Sequence, residues 1–575
     1  MRLADWVVMC GALAFIVLYG LWRGRGSNSV NKYLLAGKTM PWHAMALSIM
    51  ATQASAVTFI STTGQSYVDG MRFVQFYFGL PLAMVVLAVT AVPIFHRAKV
   101  YTAYEYLEQR FDAKTRALVS AIFLIQRGLA LGITLYAPAV VLTVILGWPD
   151  WVTTLVMGGV AVTYTTLGGV KAIAWTDVQQ MLVMTAGLVA ALACALLLLP
   201  GNVSFLDAVT LAGAAGRLNA VTFNMDWNDR YNLWSGLIGG MFLALAYFGT
   251  DQSQVQRYLS GKSIAQSRLS LLFNAVAKVP MQFFILFIGA MVFVFYIYEK
   301  PPILFERTQL QRLQTVSMRA DYSPVEQKYD AAFEQRKAAA NQLIEARRQG
   351  DDGLWRKGLA EYGGAQRELD AARRASVSLV EKAGGGKIND TNFIFLTFVT
   401  RYLPAGLVGL VLAVIFGATM SAISAEMSAL ATVSVIDIYK RHFRKSASDR
   451  HYLAASRAAT LFWGCYAVTS AHYAKRLGSL VEAVNILGSF FYGGMLGVFV
   501  LAFFFPRVRS RGAFCGVLAG EAVIFASWYF TRIAFLWYNV IGCVVVVLTG
   551  VLISMWDRPP GLSSSGRLES APPMR

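Results

Sequence analysis

The chain has 575 residues, of which 56% are hydrophobic and only 14% charged, and its mean hydropathy is +0.51. Soluble proteins average about 45–50% apolar and about 25% charged residues, so this composition excludes an ordinary soluble enzyme and a disordered chain. The net charge of +19 alone would suit a nucleic-acid binder, but the apolar content excludes that class and predicts a multispan membrane protein in a lipid bilayer.

Apolar runs long enough to cross a bilayer recur along the chain, since a spanning helix needs about 20 such residues. The clearest are Phe73–Phe95, Trp151–Val170, Val178–Leu206, Val279–Tyr298, Tyr402–Ala425, Ala483–Pro506 and Ile533–Trp556. Shorter or interrupted candidates lie near 6–22, 39–66, 117–147, 231–256, 458–474 and 513–531. We therefore expect an all-α polytopic protein with about 13 transmembrane helices.

The distribution of Lys and Arg predicts the orientation of these helices, because cytoplasmic loops collect basic residues. With the N-terminus outside, 25 basic residues fall in the inner loops and tail, whereas the opposite short loops carry 7. We expect an N-out, C-in protein of the inner (plasma) membrane, in which 25 of the 51 basic residues set the topology.

Residues 303–387 are too polar for the membrane, with 15 basic and 12 acidic side chains. Their composition favours helices, interrupted near Gly350–Gly353, and predicts a soluble helical hairpin on the outer face. Two interpretations stay open: a solvated insert without a transport role, and a lid or a docking surface for an outer-face partner.

Two apolar segments, 51–64 and 247–253, are unusually polar and contain glycine. They are spans 1 and 6 when the leading helix is set aside, and matched broken segments in two halves are typical of inverted-repeat transporters. An unwound helix exposes backbone carbonyl and N–H groups that can bind ions or solutes at mid-membrane. The alternative is ordinary packing of Ser and Thr between helices.

Ionisable side chains within spans are a second signal, because their burial is costly and they usually pair or line a cavity. The candidates are Arg127, Asp177, Asp251, Lys278, Glu426 and Glu521. Asp177 is either a helix cap at the membrane interface or a group that couples ions. The chain contains two Gly-Lys-Ser/Thr tripeptides, at 37–39 and 261–263, and a P-loop for ATP would need a glycine five residues before each of them. Lys32 and Gln256 occupy those positions, so a P-loop is excluded.

Several motifs in this order resemble the sodium:solute symporter family. They are Ser55–Ile60, Thr102–Leu107 with Arg110-Phe111, Gly168-Gly169 with Trp175–Asp177, Asp251-Gln252 with Gln256–Tyr258, and Ala431-Thr432 with Asp437–Tyr439. Residues 97–258 are most similar to the monocarboxylate, vitamin and iodide branch. The resemblance implies the LeuT-type fold, a 5+5 inverted repeat with extra helices at both ends.

That fold implies the following division of the chain. The segments are 1–38 (leading helix and cytoplasmic loop), 39–206 (first repeat, spans 1–5), 207–302 (outer loop and spans 6–7), 303–390 (charged insert), 391–506 (spans 8–10), 507–557 (two extra helices) and 558–575 (disordered cytoplasmic tail).

The resemblance also implies Na⁺ as the coupling ion, with no other cofactor, at a site between spans 1 and 8. Its ligands would be the carbonyls of Ala51, Ala54 and Ala418 and the hydroxyl of Ser421. Ala422 stands where relatives usually carry a second hydroxyl, which removes one of the oxygens that a hard cation prefers. A candidate second cation or proton site comprises Asp177, Ser424 and Glu426, although Ala425 replaces a further expected hydroxyl.

By the same resemblance, a solute cavity would be lined by side chains from spans 1, 2, 6 and 10. They are Gln53, Thr58, Phe76, Tyr77, Tyr247, Phe248 and Asn485. Ala244 and Tyr77 stand where hexose-binding relatives carry polar partners, so a small carboxylate fits better than a hexose bound in the same way.

We therefore expect a secondary active transporter, not an enzyme, that uses sodium to carry a small organic or anionic solute by alternating access. The alternatives left open are an uncoupled or proton-coupled facilitator and a sugar or sialic-acid symporter. A transporter-like sensor is disfavoured because a short basic tail, without a kinase region, follows the last span.

Overall fold

The computed structural model describes residues 2–26, 28–54, 56–315, 318–385, 389–474 and 480–557. The predicted tail at 558–575 lies outside these ranges. The described residues form helices connected by loops, and their β-structure is confined to one parallel bridge between Met40 and Gly261.

The helices follow one another along the whole chain. They are α1 (Leu3–Arg23), α2 (Val30–Leu35), α3 (Trp42–Gln53), α4 (Ala56–Asp69), α5 (Leu80–Val89), α6 (Ala91–Ala98), α7 (Ala103–Arg110), α8 (Ala113–Leu146), α9 (Asp150–Leu197), α10 (Phe205–Ala214), α11 (Gly240–Gly249), α12 (Gln252–Leu259), α13 (Ile264–Tyr298), α14 (Arg307–Leu313), α15 (Arg319–Gln349), α16 (Asp352–Val380), α17 (Thr391–Tyr402), α18 (Leu407–Val433), α19 (Asp449–Ala474), α20 (Leu480–Phe504), α21 (Ser510–Phe530) and α22 (Leu536–Trp556). Short 3₁₀ or π-helical turns occupy Ala36–Lys38, Gly70–Tyr77, Ser235–Gly239, Glu381–Gly385 and Ser434–Phe443.

Among the described residues, nine helical segments are long and apolar enough to cross a membrane. Their outward faces carry large apolar side chains, such as Leu3 and Val7 on α1 and Leu552 and Trp556 on α22. Such faces suit lipid, because bilayer hydrocarbon is as apolar as the side chains themselves.

The helix α9 differs from the predicted spans 151–170 and 178–206, since it runs from Asp150 to Leu197 through both. Gly169 interrupts it with φ 62° and ψ −179°, a conformation open essentially to glycine alone. The break leaves carbonyls without helical partners, and the Tyr33 hydroxyl donates to those of Thr165 and Thr166 at 3.4 and 3.3 Å. The second segment ends at Leu197, before Pro200.

The core helix α18 is buried along its whole length and contacts α1, α3, α4, α8 and α9. Its N-terminus is capped from α1, because the buried Asp5 carboxylate accepts hydrogen bonds from the backbone N–H groups of Gly406 (2.6 Å) and Gly409 (3.4 Å). α18 also contacts α12, so it packs against helices next to both predicted breaks.

The long helices α15 and α16 are joined at Gly350, which has φ +69°, and pack against each other. They are fixed to the rest of the molecule by arginines. Arg336 donates to the carbonyl of Tyr296 on α13 at 2.6 Å, and Arg348 pairs with Asp207 on α10 at 2.7 Å. This pair is therefore docked on the helical bundle through buried as well as exposed contacts.

Candidate functional site

The first broken helix pair is α3 and α4, which lie on either side of Ala54 (φ −91°, ψ 62°). Because the last carbonyls of a helix lack partners within it, the end of α3 exposes backbone oxygens in the bundle interior. Thr58 satisfies one of these oxygens, since its hydroxyl donates to the Gln53 carbonyl at 2.9 Å. The amide of Gln53 in turn donates to the Ile49 carbonyl at 3.2 Å.

The second broken pair is α11 and α12, separated by Thr250 and Asp251. Asp251 caps α12, because its carboxylate accepts from the backbone N–H (2.9 Å) and the hydroxyl (2.7 Å) of Ser253. On the other side of the break, the hydroxyl of Tyr104 donates to the Thr250 carbonyl at 2.9 Å. Both predicted breaks are thus present as interruptions in the helices.

One cavity lies between these breaks, and we name it the central cavity. It is lined by Thr52, Gln53, Thr58, Phe76, Tyr77, Leu80, Arg127, Thr134, Gly240, Leu243, Ala244, Tyr247, Phe248, Ala422, Glu426, Val484, Asn485 and Tyr492. All seven side chains expected to contact solute are in this set. Ala244, the position at which hexose-binding relatives are expected to carry asparagine, lines it with a methyl group.

A buried ion network forms one wall of the central cavity. Arg127 of α8 pairs with Asp251 at the α12 N-terminus and with Glu426 of α18, the latter at 3.1 Å. The hydroxyl of Tyr492 on α20 receives a hydrogen bond from Arg127 at 2.8 Å and donates to Asp251 at 3.1 Å. Four helices are therefore joined by one network, in which each charge has an opposite partner.

The sequence predicts the charged members of this network but not how they pair. Arg127, Asp251 and Glu426 stand out as charges within spans, but nothing in the sequence pairs residues 299 positions apart. Tyr492 carries no sequence signal, because a tyrosine in an apolar run resembles any other aromatic core residue.

The predicted sodium ligands lie where α3 approaches α18. Ala51, Ala54, Ala418 and Ser421 are buried, and the Ser421 hydroxyl donates to the Asp177 carboxylate of α9. Asp177 also accepts from Ser48 and pairs with Arg257 of α12 at 3.0 Å. Asp177 lies eight residues beyond the break at Gly169, inside the second half of α9, so its interpretation as a helix cap is wrong.

The three residues of the candidate second cation or proton site face different neighbours. Asp177 bonds Ser421 rather than Ser424, and the Ser424 hydroxyl instead accepts from Thr165 at 2.8 Å. Glu426 faces Arg127 and the central cavity. This geometry does not bring the three together into one cluster, because each of the three side chains bonds a different partner.

Lys278 of α13 lies behind the aromatic wall. Its Nζ is 5.3 Å from the ring centroid of Tyr77, and it has no hydrogen-bond partner among the described residues although the side chain is fully buried. Burial without a counter-charge disfavours the charged form of a lysine, and Lys278 is not among the residues that line the central cavity.

Comparison with known proteins gives a family model and several relatives. The model of the sodium:solute symporter family matches residues 33–301 and 367–520. Human sodium-coupled monocarboxylate transporter 1 is 29% identical over 522 residues, covering 90% of this chain and 72% of the relative. The rabbit (Oryctolagus cuniculus) sodium-dependent multivitamin transporter is 28% identical, with 92% and 70% covered.

A solved structure shares the fold. The Na⁺-coupled sialic acid symporter, in its substrate-bound outward-open state, superposes with a TM-score of 0.74 at 22% identity and covers 97% of this chain and 99% of its own. The family model skips 302–366, a gap that includes α14, α15 and the first half of α16. With both matched parts together covering most of the chain, this protein belongs to the sodium:solute symporter family.

Proposed function

We propose that this symporter carries a small organic acid together with sodium and has about thirteen spans, arranged N-out and C-in. The observation that carries the proposal is the central cavity, which lies between two broken helix pairs and is lined by all seven side chains that the resemblance predicts to contact solute.

The distribution of contacts at the two ends of the bundle supports this topology. Asp5, the α17–α18 loop and the α14 region line one pocket, so a shared end of the bundle for the N-terminus and the charged insert is supported. The basic loops meet at the other end, where Arg110 donates to the carbonyls of Phe505 and Pro506 at 2.9 and 2.8 Å. That end is the cytoplasmic one under the positive-inside rule, and we propose the plasma membrane as the location.

For the coupling ion, we assign the carbonyls of Ala51, Ala54 and Ala418 and the hydroxyl of Ser421. Ala422 neighbours this position and lines the central cavity with its methyl group. An oxygen from cavity water or from the solute therefore has access to the place of the missing hydroxyl, which keeps sodium binding compatible with that substitution. Asp177, next to Ser421, contributes negative charge that Arg257 largely offsets.

For the solute, the aromatic residues Phe76, Tyr77, Tyr247 and Phe248 form an apolar wall, while Gln53, Thr58 and Asn485 offer polar groups. These polar groups can hydrogen-bond a small carboxylate. Monocarboxylate transport is the function named for the human relative. Tyr247 closes the side toward α12, where its hydroxyl accepts from Gln254 at 2.7 Å.

A solute screen tests this assignment. Purified protein in proteoliposomes, energised with a sodium gradient, is expected to take up a small carboxylate and to leave glucose and galactose outside. Replacing Asn485→Ala, which removes a polar group from the cavity lining, should weaken apparent carboxylate affinity roughly two- to tenfold, the value of one polar contact. Asn219→Ala, at an exposed loop asparagine, is the matched control. Uptake of a hexose in preference to every carboxylate contradicts the assignment.

A further inference from the structure

A pocket larger than the central cavity lies between the charged insert and the ends of several apolar helices. It has a volume of about 550 Å³ and shares no lining residue with the central cavity. Its walls come from the N-terminal turn of α1, the segment 302–310, the end of α17 and the start of α18. Sites for small molecules usually have volumes of about 300–1,000 Å³, so this pocket, which we name the insert pocket, is large enough for a ligand.

The charged side chains of the insert pocket leave positive charge without a partner. Arg2, Arg307 and Arg401 line it, are exposed, and form no ion pair with another described residue. The guanidinium of Arg401 lies 5.3 Å from the ring centroid of Tyr402. Asp5 is the only acidic residue of the described lining, and its carboxylate already accepts from the backbone N–H of Arg2 (2.9 Å) and from two N–H groups at the start of α18. An anion is therefore the ligand that complements this lining.

One wall of the insert pocket is apolar and held in place by the insert. Leu304, Phe305 and Leu403 contribute to the lining and are buried. The backbone N–H of Phe305 donates to the buried carboxylate of Asp390 at 2.7 Å, and Asp390 pairs with Arg373 of α16. The combination of a fixed apolar wall with three arginines suits an anion that also carries an apolar part.

Three apolar spans begin or end beside the insert pocket. α1 and α18 begin there, at Leu3 and Leu407, and α13 ends at Tyr298, shortly before the lining residue Pro302. On α1, Leu3 is 81% exposed and Val7 is 64% exposed, as expected for a helix surface that faces lipid. The pocket therefore lies at the boundary of the membrane, where the headgroups of phospholipids are.

We propose that the insert pocket binds an anion that carries a phosphate group, whose oxygens are contacted by Arg2, Arg307 and Arg401. The planar guanidinium group matches the geometry of phosphate, with which it can form two parallel hydrogen bonds. The position at the membrane boundary favours a phospholipid, whose acyl chains would lie along the exposed face of α1, although a soluble phosphate compound offers the same group. Arg307 belongs to the segment 302–366 that the family model skips, and the proposal is independent of the solute in the central cavity.

Thermal unfolding of the full-length protein, purified in detergent, tests this site. Phosphatidylglycerol should raise the melting temperature at concentrations where phosphatidylcholine with the same acyl chains does not, because choline neutralises the phosphate of the latter. Combining Arg2→Gln with Arg307→Gln should weaken the apparent affinity for phosphatidylglycerol by about tenfold or more, the usual effect of losing charged hydrogen bonds. Combining Arg356→Gln with Arg374→Gln is the matched control, since these exposed arginines of α16 lie outside the lining and the net charge changes equally.

Glycerol 3-phosphate distinguishes the two sources of the phosphate group. If it raises the melting temperature as much as phosphatidylglycerol does, and the Arg2/Arg307 variant loses that effect, the ligand is a soluble phosphate compound. If phosphatidylglycerol alone has the effect, the ligand is the lipid.

Three outcomes overturn the proposal. The first is an equal response of the Arg2/Arg307 variant and the control variant to phosphatidylglycerol, because general attraction to a basic protein then explains binding. The second is equal stabilisation of the unchanged protein by phosphatidylglycerol and phosphatidylcholine. The third is the absence of stabilisation by phosphatidylglycerol and by glycerol 3-phosphate. Arg307→Gln alone, at an exposed position, replaces the double variant if that variant fails to fold.

Discussion

At the scale of single residues, the informative positions are the few polar side chains that lie inside an otherwise apolar helical bundle. The polar breaks and the intraspan charges were predictable, because polar groups in spans are costly and are retained where they bind or pair. The seven cavity residues were predicted from the family resemblance. Their partners were not, since the Arg127 pairs with Asp251 and Glu426 join residues 124 and 299 positions apart.

Ser421 gives the most direct residue-scale prediction. If its hydroxyl ligates sodium, Ser421→Ala should raise the sodium concentration for half-maximal uptake roughly two- to tenfold, the value of one polar contact. Solute affinity at saturating sodium should change less. Sodium titration of uptake measures both, and Ser421→Thr, which keeps the hydroxyl, is the control. A variant that changes only solute affinity would move the sodium site away from Ser421.

At the scale of helices, the length of a span and its interruptions depend on backbone details that composition hides. The sequence predicts separate spans over 151–170 and 178–206, whereas α9 runs through both and bends at Gly169. The Gly168-Gly169 pair was noticed only as a family motif. Its structural reason is the positive φ of Gly169 and the close approach of Tyr33, neither of which hydropathy can reveal.

Replacing Gly169→Ala should therefore destabilise the protein. The new methyl would lie 2.9 Å from the Tyr33 ring and 3.0 Å from its carbonyl, in a backbone conformation that costs about 1–3 kcal/mol for other residues. The measurement is the melting temperature of the purified protein. Gly159→Ala, in the same helix and with nothing within 4 Å, should leave that temperature unchanged or raise it. Equal melting temperatures for the two variants would remove this role of Gly169.

The pair α15–α16 illustrates a second limit at this scale. Its composition predicts helices, but its contacts with the rest of the bundle could not be predicted. A charged residue such as Arg336 is expected from sequence to be exposed to solvent. In the structure Arg336 is 1% exposed and bonds the Tyr296 carbonyl at the end of α13. Insert and transport helices are consequently coupled through packed side chains.

At the scale of the whole molecule, composition predicted the membrane class, and the family match supports the transporter fold. The excess of basic residues reflects loops at one end of the bundle. There the buried Asp437 pairs with Arg116 at 2.6 Å, and Arg116 also binds Glu108 at 2.8 Å. Hydrogen bonds from Arg441 and Arg116 hold the pKa of Glu108 below its ordinary value against the opposing effect of partial burial.

The central claim is that solute movement is coupled to sodium through one cavity between two broken helix pairs. The most direct measurement is accumulation of a labelled small carboxylate in proteoliposomes with sodium outside and potassium inside. We predict accumulation above the external concentration that collapses when the sodium gradient is dissipated, while a proton gradient alone does not replace it. Equilibration without accumulation, unaffected by sodium, would contradict the claim and indicate an uncoupled facilitator.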